Sequence, residues 1–82
     1  MMGEVAVLFR VYAEEGKEEA VLEEITKQMG PKGSQLEEIA FGIKAIKVLF
    51  VHPDTEGSSA IEDKLRRIPG VKEVETLEES LT

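Results

Sequence analysis

At 82 residues the chain is sized for one domain, expected over 1–82, with room for one thin layered core and little for a deep enclosed active site. Seven formal negative charges in excess, from 10 Lys and Arg against 17 Asp and Glu, disfavour nucleic acid and anionic lipid as partners. The absence of cysteine excludes disulfides, thiolate metal sites and thiol nucleophiles, and fits a reducing, cytoplasmic setting.

Glu4 to Tyr12 alternates with period two, Val5, Val7, Phe9 and Val11 on one side and Ala6, Leu8, Arg10 and Tyr12 on the other, which predicts a strand. The apolar run here is too short and too interrupted for a membrane span and has no basic region or cleavage signal, so no export signal is expected. Lys17 to Met29 places Val21, Leu22, Ile25 and Met29 at helical spacing among glutamates, an amphipathic helix closed by Gly30-Pro31. A loop over Gly33 and Ser34 leads to a short strand at Gln35–Ala40, weakened by Glu37 and Glu38. Ile43–Val51 is a much stronger strand, dense in Ile, Val, Leu and Phe.

His52 to Gly57 has turn chemistry. Ser59 with Glu62 three residues on matches a capping box for a helix carrying Ile61, Leu65 and Ile68, which Pro69-Gly70 ends. Val71–Leu77, poorer in apolar residues, reads as an edge strand, and Glu78–Thr82 as a trailing end. The order βαββαβ predicts an α+β, ferredoxin-like sandwich: a four-stranded antiparallel sheet with two helices on one face. Parity leaves Leu8, Arg10 and Tyr12 on the other face beside Ala45, Lys47, Leu49 and Val51, a mixed apolar and basic surface.

Side-chain catalysis finds little support. His52, the only histidine, has no second ligand type beside it and reads as structural or merely exposed. The glutamate pairs lack a shaped loop to converge on a cation and read as a solvated face. Asp54 to Ser59 faintly resembles a phosphate loop, but it lacks the lysine and glycine spacing of a P-loop, so helix capping is the expectation. No metal, cofactor or catalytic residue is expected. AFGIKAIKVLF also invites comparison with the RNA recognition motif, yet Ile43 stands where a second stacking aromatic belongs and the net charge is wrong.

Four segments, GEVAVLFRV, IAFGIKAIKVLFV, DTEGSSAIEDKL and IPGVKEVET, lie in the order found in one family. The chain resembles the archaeal translation elongation factor 1-beta family, guanine-nucleotide exchange factors for elongation factor 1-alpha. The resemblance implies a ferredoxin-like fold and no bond-making chemistry. It implies a protein partner, the elongation factor 1-alpha GTPase, whose hold on GDP is weakened so that GTP enters. It further implies that Phe41 contacts that GTPase; Gly42 and Lys44 are expected to face the partner with it, and a monomer is expected.

Two departures stand out. LEEIAFG follows directly on GSQ, a shorter hairpin than the family's, and no residue after Lys72 is basic, so the family's terminal-lysine role is assigned to no residue here. The missing basic tail is expected beside Phe41. The alternative reading is a regulatory or ligand-binding domain of the same fold, dimerising through the open sheet face. Lys44 and Lys47 cannot face the same side of a regular strand, which puts one beside the open face and the other near the strand start or a bulge, where they keep an apolar strand soluble and pair with acids or meet a partner.

Overall fold

The computed structural model describes residues 3–82, so the first two residues of the expected unit lie outside it. Its elements are β1 Glu4–Ala13, α1 Glu18–Met29, β2 Gly33–Ala40, β3 Ile43–Pro53, α2 Ser59–Arg66 and β4 Val71–Leu81. All strand pairs are antiparallel, in the order β2-β3-β1-β4. The α+β ferredoxin-like sandwich expected from the element order is therefore the fold.

Alternation along β1 decides which way the sheet faces. Val7, Phe9 and Val11 are fully buried, packed with Ile46, Val48 and Phe50 of β3, Val74 of β4, Val21 and Ile25 of α1, and Leu65 of α2. Each such side chain contributes about 1.5–3 kcal/mol when removed from water, so this cluster dominates stability. Phe9 and Phe50 meet edge to face with ring centroids 6.1 Å apart, a favoured aromatic geometry.

Several boundaries differ from the sequence reading, and β3 runs on through His52 to Pro53, residues read as the start of a turn. β4 does not stop at Leu77: Glu78 to Leu81 pair with β1 as far as Val5↔Leu81. An edge strand needs backbone partners on one side only and tolerates charge, so its acidic end still pairs. β2 begins at Gly33, earlier than the glutamate-weakened segment suggested. The capping box is absent, because the residue flanking α2 is Ser58, not Ser59, and neither caps the helix through its side chain.

His52 is buried and structural. Its Nδ1 donates to the Pro53 carbonyl at 2.8 Å, and its Nε2 stands 2.8 Å from Ser58 Oγ, which in turn donates to Glu79 of β4. This link joins the end of β3, the start of α2 and the end of β4. It also occupies the Ser58 hydroxyl, one of the two that close the stretch faintly resembling a phosphate loop.

Candidate functional site

The hairpin joining β2 to β3 has only Phe41 and Gly42 between its strands. Both have positive φ, 50° and 78°, the pattern of a type I′ turn whose twist matches that of the flanking strands. Glycine accepts this conformation freely. Phenylalanine does not: a left-handed L-residue costs about 1 kcal/mol, and Phe41 is the one non-glycine residue with positive φ among those described. Its ring gains nothing in return from the fold, because it is fully exposed.

Two more apolar side chains adjoin it. Ile43 and Ile39 are 58% and 41% exposed, so three of the four exposed large apolar side chains among the described residues stand at this tip. Ile39 owes its position to a register shift, since Glu38 pairs with Lys44 and Ala40 with Ile43, leaving Ile39 as an extra residue. A bulge of this kind re-aims a side chain. The three residues make an apolar knob at one end of the sheet.

Behind the knob lies a cleft of about 360 Å³ between the hairpin, the end of β1 and the start of α1. Gly42 and Lys44 line it with Phe41, so the structure brings together the three residues singled out in the sequence. Tyr12, Glu15, Glu18 and Lys72 complete its walls. Ile39 and Lys72 escaped the sequence reading, because a bulge depends on cross-strand register, which side-chain pattern does not encode.

The open sheet face differs from expectation. Parity is right, with Lys47 registered opposite Arg10 and Leu49 opposite Leu8, and Lys44, opposite Glu38 and three residues from Lys47, falls on the other side. The face also carries acid, however, so that of its two expected cations only Lys47 is without an ion pair among the described residues. Arg10 reaches Glu75 of β4 at 3.5 Å and, across β3, Glu37 of β2 at 3.4 Å. Its pKa is pushed above the ordinary guanidinium value, by the Tyr12 side chain most and then, against the opposing desolvation, by Glu37 and Glu75.

The tail also departs from expectation. Leu81 pairs with Val5, and Thr82 donates its N–H to the Glu4 carbonyl at 2.8 Å, whereas the Phe41 hairpin adjoins the other end of β1. Ten residues of strand, about 30 Å, separate the two ends. The end of β4 therefore cannot act beside Phe41. Among the described residues no three His, Asp or Glu side chains are grouped to hold a metal ion, and no helix is long and apolar enough to cross a membrane.

The family model for the EF-1 guanine nucleotide exchange domain matches residues 6–80 of this chain. The chain belongs to that family. It is similar to proteins named elongation factor 1-beta: 39% identical over 85 residues to that of Methanospirillum hungatei, covering 98% of this chain and 99% of the relative. The protein of Methanoregula boonei is 36% identical over 86 residues, with the same coverage, and that of Desulfurococcus amylolyticus 34% over 84 residues, covering 90% and 91%. No solved structure matches. As an exchange domain the chain has no bond to make or break.

Proposed function

We propose that this exchange domain acts on elongation factor 1-alpha during translation elongation, promoting GDP release and GTP loading, and that it docks through the hairpin tip with Phe41 as anchor. Family membership supports the activity and the partner. One observation carries the site: Phe41 is held in a left-handed conformation that disfavours it, with its ring fully in solvent. Strain kept without a packing benefit inside the fold is the mark of a residue used outside it.

The mechanism is differential binding. A factor that binds the nucleotide-free GTPase more tightly than the GDP-bound form lowers GDP affinity by the same factor, because linkage is reciprocal. An aromatic ring seated in a partner pocket is worth about 2 kcal/mol or more, the scale of an interface hot spot. Gly42 leaves the backbone beside the ring bare for close approach, and Lys44 stands at its edge.

The domain works as a monomeric 1–82 unit in the cytoplasm, where elongation takes place. The internal pairing of Arg10 supports the monomer, since that cation of the open face already has its counter-charges within the chain. The test is release of fluorescent GDP from purified elongation factor 1-alpha with and without the domain. Release should accelerate with added domain and saturate; no acceleration at any concentration would sink the reading.

A further inference from the structure

β4 loses register with β1 between Tyr12↔Glu73 and Ala13↔Val71, which leaves Lys72 as the extra residue. This is a second bulge at the same end of the sheet as the one at Ile39. Bulges gather beside functional sites because they redirect a side chain that a regular ladder would fix. Lys72 lines the cleft behind Phe41 together with Ala13 and Lys44, at the end of β1, which lies between β3 and β4.

The charges around this cleft are unevenly engaged. Glu18 accepts from the Gly16 N–H at 3.4 Å and sits in the first turn of α1, where the helix dipole favours a carboxylate. Lys17 pairs with Glu14 at 3.6 Å. Among the described residues Lys44 and Lys72 form no ion pair, and Glu15 is the carboxylate left facing them. On a chain of net charge −7, two unpaired ammonium groups border the cleft beside the fully exposed ring.

We infer that Lys72 is a partner contact: with Lys44 it brackets the cleft and receives a carboxylate side chain of the GTPase, seated next to the pocket that takes Phe41. This rests on the reading of Phe41 as anchor and extends it to a residue on a different strand. A charge at an interface rim acts mainly on association and its salt dependence. Lys72 therefore sets how readily the partner is captured, and Phe41 how firmly it is held.

The experiment measures fluorescent GDP release from elongation factor 1-alpha against concentration of the unaltered domain, Lys72→Glu, Lys72→Arg, Glu15→Lys and Phe41→Ala, at low and high salt. Lys72→Glu should raise the half-saturating concentration by about tenfold at low salt and much less at high salt, leaving the saturating rate unchanged. Lys72→Arg should match the unaltered domain, and Glu15→Lys should lower the half-saturating concentration. Lys72→Glu behaving as the unaltered domain, while Phe41→Ala loses exchange, overturns the Lys72 contact and leaves the anchor standing. Weakening by the same factor at every salt concentration also overturns it, since the effect would then lie in the fold. No acceleration by the unaltered domain overturns both.

Discussion

Arg10 and Glu37 form an ion pair across an intervening strand, 3.4 Å apart, over the small side chain of Ala45, which is registered opposite Glu37. Ala45 is fully buried although it faces away from the helices. The Arg10 side chain, 23% exposed, lies on this face with its aliphatic stem as well as its charge. Arg10→Met, which keeps a stem and loses both ion pairs, should lower the urea midpoint less than Arg10→Ala, which loses both functions. Equal losses would show that charge alone matters. Glu75→Ala should cost least of the three, because Glu75 is half exposed and screened by solvent.

Gly70 carries a different constraint. Its φ is +95°, and a Cβ added there would stand 2.9 Å from Val21 Cγ2, on the buried face of α1. Gly70→Ala should destabilise by about 2 kcal/mol or more, from conformational strain and from displacing Val21. Gly16→Ala is the control, because φ is +84° but the space is open, so only the strain of about 1 kcal/mol applies. Paired urea unfolding curves separate the two contributions.

The two serines that open α2 should behave oppositely to a capping-box reading. Ser58→Ala leaves His52 Nε2 buried without its partner and should cost about 1–2 kcal/mol. Ser59→Ala, at an exposed position with no cap to lose, should fall within about 0.5 kcal/mol of the unaltered domain. Thermal melts of the two variants decide it, and a larger loss at Ser59 would restore the capping box.

The sheet and its burial pattern are legible in the sequence because period-two alternation and helical spacing report the same physics that buries Val7, Phe9, Val21 and Ile25. The end of β4 is not, because backbone hydrogen bonds to β1 hold Glu78 to Leu81 whatever their side chains. Ser58 and not Ser59 flanks α2, and its hydroxyl bonds to Glu79, 21 positions away, which no local motif reveals. At the candidate site, Phe41, Gly42 and Lys44 are legible through a family resemblance. The left-handed turn is not, since phenylalanine is a poor choice for it, and the bulges at Ile39 and Lys72 exist only once strands pair. The separation of tail from hairpin was available from topology: antiparallel β4 must end where β1 begins.

Phe41→Asn tests the central claim most directly, because it sets fold and function against each other. Asn-Gly is the favoured pair for a type I′ turn, so the substitution relieves the left-handed phenylalanine and should stabilise the domain by about 0.5–1 kcal/mol. The same substitution removes the anchor and should weaken GDP release from elongation factor 1-alpha by about thirtyfold in half-saturating concentration, the equivalent of about 2 kcal/mol. Unfolding and exchange measured on one preparation should thus move in opposite directions. A variant that exchanges nucleotide as well as the unaltered domain, whatever its stability, would contradict the account.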